Sequence, residues 1–396
     1  MRARSDTLVR VKIICAPDSF KESLTAAEAA EAMGRGVKKA LPRAEVDLCP
    51  IADGGDGTVE ALLSATNGTA MFTEVRGPLG DPVRARWGLL GTTGDGPLTA
   101  VIEMAAASGM ALLAPRRRDP TRTSTFGTGQ LIMAALDAGA KRIVLGVGGS
   151  ATNDGGCGAA EALGTQFMDE QSAALDGPIT GAMLDLIRRI DVSQVDVRLD
   201  QVQIVVACDV TNPLTGPNGA AHIYGPQKGA TPAQVKELDA ALAHLASVMR
   251  DQMGCDLQSM PGAGAAGGMG AGMVAFLGAR LEPGVQMVLN AARFEQRVKG
   301  GDLCLTGEGR LDGQSLSGKA CLGVATAAKR HGVETIALVG AIGPDANRTL
   351  EAGLRSYHSI GEGVAASESI RCGAQLLEAC AGRVVAAWAS AGPATT

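Results

Sequence analysis

KRIVLGVGGSATNDGGCGAAEALG, residues 141–164, reads as a buried strand, a glycine loop and a helix in succession. Ile143, Val144, Leu145 and Val147 form an apolar run of strand length. Gly148, Gly149, Gly155 and Gly156 then admit positive φ and let the backbone come close to a ligand. Ser150, Thr152, Asn153 and Asp154 supply donors, acceptors and an N-cap ahead of the Ala-rich segment from Gly158, where unpaired helical N–H groups favour an anion. Phosphate is the natural ligand of such a loop. A tight strand-to-helix turn that needs glycine for geometry alone accounts for the same residues, because neither G-x-G-x-x-G nor G-x-x-x-x-G-K-[ST] occurs here.

The same unit recurs towards both ends of the chain. VKIICA, residues 11–16, suits a buried parallel strand and runs into PDSFKESL. Thr25 and Glu28 make a capping box for an amphipathic helix reaching about Leu41. Residues 45–51 give a second strand ending in ADGGDGT, and residues 58–66 a second helix. Ligands of such alternating α/β sheets bind beyond the carboxyl ends of the strands, where Asp18, Ser19, Lys21, Asp53 and Asp56 fall. From about Gly68 to Glu103 the pattern changes to antiparallel strands joined by Gly-Pro and Gly-Asp turns. A helix over residues 127–138, the glycine loop, the strand VQIVVA, a helix over residues 231–250 and PGAGAAGGMGAG follow. After about Leu289 the first pattern returns, with DLCLTGEG and ETIALVGAIG as strands around the helix LSGKACLGVATAAKRHG. The expected fold is α/β in two domains. Residues 11–68 and 290–396 form a discontinuous, doubly wound parallel-sheet domain of Rossmann or flavodoxin type. Residues 69–289 form an inserted mixed α/β domain, residues 1–10 are a disordered extension, and the ligand cleft is expected between the domains.

Composition narrows the function. A chain of 396 residues is too long for one ordinary core, and 46% hydrophobic content is ample for two. The 54 glycines cluster between apolar runs, which points to many loops near ligands. A net charge of −5 with 3% aromatic residues gives neither the basic footprint nor the stacking platform of a nucleic-acid binder. Nine cysteines, without a C-x-x-C pair, sit in apolar strands and read as buried reduced thiols of a cytoplasmic protein. The four histidines are too far apart in sequence for a local zinc motif. Residues 257–279 are long and uncharged enough to mimic a membrane span, but they are dense in glycine and broken by Pro261, so no membrane association is expected. MRARSDTLVR has no apolar core for a signal peptide. The sequence leaves a homo-oligomer open.

Two features carry chemistry. Gly313-x-x-x-x-Gly318-Lys319 has Walker A spacing, with Ala320 where Ser or Thr holds magnesium and with LTGEGRLD separating the glycine from its strand. It is either a phosphate site at a helix start, with Lys319 as a point charge, or a surface lysine. The second feature is Asp18, Asp53, Asp56, Asp154, Asp209, Glu308 and Asp312, each read as following an apolar strand in a glycine-rich loop. Some of these are turn or N-cap residues. The remainder suit a magnesium ion, for which Asp53, Asp56 and Glu308 are the expected ligands, and a proton acceptor for phosphoryl transfer to a hydroxyl. Asp209 is the expected acceptor, because it leaves a buried strand at its carboxyl end and Asn212-Pro213 keeps the next loop out of helix. Asp53 and Asp312 compete for that task. Lys21, Arg310 and Lys319 would balance charge on phosphates and on an acidic substrate, which Asp18 and Ser19 would also line. Ser150 lies in GGSAT, not in G-x-S-x-G, so a nucleophilic triad fits worse.

APDSFKESLTAAEAAEAMGRG, PIADGGDGTVEAL, GVGGSATNDGGCGAAEALG, CDVTNPLTGPNGAAHIYGPQKGA, PGAGAAGGMGAG and LTGEGRLDGQSLSGKA together resemble the signature blocks of the bacterial glycerate kinase family, type I. The resemblance runs from about Val11 to the last helix, without a departure inside the blocks. It implies ATP-dependent phosphorylation of D-glycerate with magnesium, a 2-phosphoglycerate product, and two α/β domains of which one is discontinuous. Another hydroxy-acid or sugar-acid kinase is the nearest alternative. A dinucleotide oxidoreductase would need G-x-G-x-x-G and a ribose-binding acid about twenty residues later, an order that GVGGSATNDGG lacks. A non-catalytic nucleotide-binding module would not need so many carboxylates.

Overall fold

β1 (Lys12–Pro17) carries Ile13, Ile14, Cys15 and Ala16 at 0% exposure and pairs in parallel with β2 (Glu45–Leu48). The chain then leaves this sheet for β3 (Thr69–Arg76), β4 (Pro82–Leu89), β5 (Thr99–Glu103) and β6 (Arg142–Gly146). The short antiparallel pair β7 (Gln166–Met168) and β8 (Arg189–Asp191) follows, then β9 (Gln203–Ala207) and β10 (Arg280–Glu282). It returns with β11 (Leu303–Leu311), β12 (Glu334–Ile342) and β13 (Ser356–Ser359). The computed structural model describes residues 11–20, 23–55, 57–91, 96–313, 315 and 320–391; Lys21, Asp56, Gly318 and Lys319 lie outside the described residues.

The chain divides into two compact units. A split unit takes Met1–Asp53, Glu60–Ala65 and Val288–Thr396, and a central unit takes Gly54–Val59 and Thr66–Met287. In the split unit five parallel strands lie in the order β13-β12-β11-β1-β2. Numbered within that sheet alone the order is 5-4-3-1-2, the flavodoxin-like winding, whose direction reverses between β1 and β11. Its core packs Ile13, Leu305 and Leu338 against Met33, Leu377 and Trp388. Helix Ala26–Ala40 opens on the expected capping box, with the Thr25 side chain on Glu28 N and the Glu28 side chain on Thr25 N. It lies so close to helix Gly373–Ala391 that a Cβ at Gly36 would stand 2.3 Å from Glu378 O.

The central unit has a mixed six-stranded sheet, β10-β9-β6-β5-β4-β3. Its β3, β4 and β5 are antiparallel, as the Gly-Pro turn suggested, and Gly77 N donates to Asp81 O at 2.7 Å across that turn. β5, β6, β9 and β10 are parallel. Trp87, Ile102, Leu131, Leu145, Val206 and Met269 belong to one core on this sheet. The architecture is thus the α/β class with parallel and mixed sheets that the alternation of elements indicated.

Two sequence expectations need correction. The strand expected over residues 45–51 is regular only to Leu48, although Cys49 N and Ile51 N still donate to Cys15 O and Pro17 O at 2.8 and 2.9 Å. The third strand, read as DLCLTGEG with Glu308 nevertheless counted among the loop carboxylates, does not stop at Gly309. β11 runs through it to Leu311, so Glu308 and Arg310 are strand residues and not loop residues. Gly307 is there for close packing, since a Cβ would lie 2.2 Å from Leu338 O on the adjacent strand.

All nine cysteines are unbridged, six of them buried. Burial pushes the Cys49 thiol up to about 12 and those of Cys157, Cys304 and Cys321 well above the usual thiol value, so these are packing groups. Among the described residues no helix is long and apolar enough to cross a membrane. A cavity of about 700 Å³ opens between β13 and helix Gly373–Ala391; its lining, which includes Tyr357, His358, Arg383 and Trp388, contains none of the expected site residues.

Candidate active site

The carboxyl end of β1 lies against the middle of β11 at the reversal point of the split sheet. Pro17 registers with Gly307, and Asp18 N extends that ladder by donating to Gly307 O at 2.8 Å. Asp18 thereby stands beside the strand that carries Glu308. Its Oδ1 accepts from Ser19 N at 2.6 Å, yet its pKa rises from 3.8 to about 7. Burial is the main cause, the charges of Asp53 and Glu308 add to it, and the Ser19 hydrogen bonds oppose it. Glu308 is only 6% exposed and accepts from the hydroxyl of Ser315, itself buried, at 2.7 Å. Asp312 N donates to the same Ser315 Oγ at 3.3 Å, while Asp312 Oδ2 accepts from Arg310 Nε at 3.1 Å. Two of the expected carboxylates, Asp53 and Glu308, therefore act electrostatically on a third, Asp18, at a ligand-binding position of the fold.

Among the described residues no three His, Cys, Asp or Glu side chains are grouped to hold a metal ion. The donor set fits a hard cation that takes one or two carboxylates and completes its shell with substrate oxygens, which is the habit of magnesium.

The glycine loop of the central unit leaves β6 as its strand-like sequence required. Gly148 and Gly149 are exposed, and Gly149 has φ +68°. A Cβ at Gly148 would stand 3.2 Å from Gly55 Cα, and one at Gly146 3.0 Å from Gly54 O, so this loop is packed on the first glycines of the ADGGDGT turn. Ser150 is buried at 6% and pairs with Gly109 in a β-bridge. Thr152, Asn153 and Asp154, expected as donors, acceptors and an N-cap of a phosphate loop, are 0% exposed. Asp154 Oδ2 accepts from Thr125 N and Thr125 Oγ1 at 2.7 Å and from Gly158 N at 3.3 Å, and Oδ1 accepts from Gly156 N at 3.2 Å. That carboxylate ties the turn to the start of helix Phe126–Asp137 and leads into a helix of only six residues, Cys157–Ala162.

Asp209 follows β9 and is exposed, as expected of a cleft residue, but its Oδ1 accepts from Gly284 N at 2.7 Å at the start of helix Gly284–Ala291. Glu103, at the end of β5, accepts from Val59 N at 2.8 Å in the same manner. The sequence reading missed Glu103, Ser315, Thr125 and Lys228. Glu103 and Ser315 had a legible signal, a polar residue at a strand exit or in a Gly-Ser loop, whereas Thr125 and Lys228 gave none.

Residues 13–389 match the Glycerate kinase family. The chain belongs to that family. It is 50% identical over 350 residues to a glycerate kinase of Bacillus subtilis (strain 168), covering 88% of this chain and 90% of the relative. Against a glycerate 2-kinase of Escherichia coli (strain K12) the identity is 46% over 350 residues, with the same coverage. A crystal structure assigned to a glycerate kinase 2 of Salmonella typhimurium LT2 is similar at a TM-score of 0.87 and 42% identity, covering 96% of this chain and 99% of that one. Family membership makes the chain an enzyme, a phosphotransferase, and sets aside the oxidoreductase and the non-catalytic module.

Proposed function

We propose that the enzyme transfers the γ-phosphoryl group of ATP to the C2 hydroxyl of D-glycerate, giving 2-phospho-D-glycerate and ADP. The names of the family and of its relatives support glycerate as the substrate, and that of the Escherichia coli relative supports the 2-position. The observation that carries the chemistry is the grouping of a desolvated Asp18 with Asp53 and Glu308 where the split sheet reverses.

Phosphoryl transfer asks the protein mainly to position charge and to accept the hydroxyl proton. A general base serves best with a pKa near the working pH. Desolvation makes Asp18 more basic than an ordinary carboxylate, so we assign it the proton in place of Asp209, whose carboxylate already accepts from Gly284 N at the start of a helix. Asp53 and Glu308 would hold magnesium, which when bound would neutralise phosphate charge. Ser315 fixes one oxygen of Glu308. Gly148, Gly149 and Ser150 take a phosphate group through their backbone, with Thr152, Asn153 and Asp154 shaping the turn from within. Gly318 and Lys319 would add a phosphate contact, Asp56 a further oxygen for the metal, and Ser19, Lys21, Arg310 and Asp312 polar contacts for the carboxylate substrate.

Purified protein with ATP, magnesium and D-glycerate should release ADP only when all three are present. The proton-coupled ³¹P spectrum of the product should show a doublet, from phosphorus on a carbon bearing one hydrogen. A triplet would move transfer to the 3-position, and no ADP above the glycerate-free rate would remove glycerate as the substrate.

A further inference from the structure

Lys228 closes a one-turn helix, Pro226–Lys228, and is 2% exposed. Burial pushes its pKa from 10.5 down to about 7, and the charge of Asp154 partly opposes that fall. Its ammonium donates to the carbonyl oxygen of Thr152 at 2.7 Å. A methionine would fill the same volume without the desolvation penalty of a cation, so packing gives no reason for lysine here. The carbonyl it holds belongs to a segment fixed at almost every other point. Met110 N donates to Gly149 O and Ala151 N to Ser108 O, both at 2.9 Å. Thr123 Oγ1 donates to Ala151 O at 2.9 Å, and Gly155 N to Gly267 O at 3.0 Å. Between these anchors Thr152 Oγ1 and both amide atoms of Asn153 are buried without a hydrogen-bond partner among the described residues. The middle of the segment is therefore its least satisfied part, and Lys228 is the charged group bonded to it.

We propose that Lys228 is a positioning residue, whose hydrogen bond to Thr152 O holds the Gly148–Ser150 backbone in the conformation that accepts a phosphate group. The inference rests on the assignment of that loop as a phosphate site. Lys228 itself does not touch the ligand; it acts through the carbonyl two residues beyond Ser150.

ADP binding by calorimetry, with hydrogen exchange of the peptide covering residues 148–154, tests it. In the parent enzyme ADP should protect that peptide. No protection would overturn the phosphate assignment, and the inference with it. Lys228→Met should keep the melting temperature within a few degrees, speed exchange in that peptide and weaken ADP binding about tenfold. Lys228→Gln keeps a donor and should weaken binding about threefold. Protection in the parent together with unchanged ADP affinity in Lys228→Met would overturn the positioning role alone. Should Lys228→Met fail to fold, parent-like affinity in Lys228→Gln would do the same.

Discussion

Ser315 Oγ donates to Glu308 Oε1 at 2.7 Å, with both side chains buried and Glu308 inside β11. The hydroxyl fixes a carboxylate that the sheet has removed from water, so the bond has more effect than its exposed counterpart would. Ser315→Ala removes a hydrogen bond to an ionisable group, a loss of about 1.5–3 kcal/mol. We expect a lower melting temperature and a fall of about tenfold or more in kcat/KM for the variant. Ser315→Thr keeps the hydroxyl and should keep most of both. Parent-like kinetics in Ser315→Ala would show that the bond does not shape the site.

Asp18 links stability to pH in the sense opposite to a salt-bridged carboxylate. Its folded pKa, about 7, lies above its ordinary value of 3.8, so between those values the folded state binds more protons than the unfolded one. Stability should fall as pH rises from about 4 through about 7, by at most about 4 kcal/mol from this group. Asp18→Asn removes the effect, because the amide mimics the protonated acid. The melting temperature of the variant relative to the parent should therefore be higher at pH 8 than at pH 5, while activity is lost. An identical difference at both values would mean that Asp18 ionises normally.

Asp→Asn changes at positions 18, 53 and 209 separate base, metal ligand and helix cap. Asp18→Asn should lower kcat by about 10² to 10⁴ with little change in the KM for glycerate. The defect of Asp53→Asn should shrink as magnesium is raised. Asp209→Asn keeps the oxygen that accepts from Gly284 N and should lose only the attraction between charge and helix, about 0.3–1 kcal/mol. A fall of about 10² or more in Asp209→Asn, with Asp18→Asn unaffected, would give the proton to Asp209.

Thr125 supplies Asp154 with both a backbone and a hydroxyl hydrogen bond, and its Oγ1 also accepts from Ala159 N at 2.9 Å. Thr125→Val keeps the shape and leaves two buried polar groups each short of a partner. A loss of about 1–3 kcal/mol for each group is expected, measured by urea unfolding. Thr125→Ser should recover most of it. Equal stability of the Val and Ser variants would show that the hydroxyl contributes nothing.

The apolar runs made much of this architecture readable. VKIICA and RIVLG are strands because nothing but burial suits them, and the polar residues after them fall at strand ends as a doubly wound sheet demands. Burial of polar side chains was not readable. Thr152, Asn153 and Asp154 have the composition of an exposed loop, and only the approach of Thr125, Lys228 and Gly267 from distant parts of the chain encloses them. Glu308 was placed in a loop because two glycines flank it, whereas Gly307 answers a close contact with the next strand. Asp209 was expected as the base for its place after β9, and its hydrogen-bond partner Gly284, 75 residues further on, left no local signal.

The parallel pairing of β1 with β11 also sets a timetable for synthesis. Ala16 and Thr306 are joined by a hydrogen bond across 290 residues. At about 5–20 residues per second, β1 and β2 wait roughly 15 to 60 s for their neighbour to be made. Throughout that interval β1 has one side of its backbone unpaired and an apolar surface built for the missing strands. Residues 66–287, by contrast, are contiguous and have their whole sheet to hand as they leave the ribosome. The N-terminal strand–helix–strand unit is thus the part of the chain that waits longest with an open sheet edge.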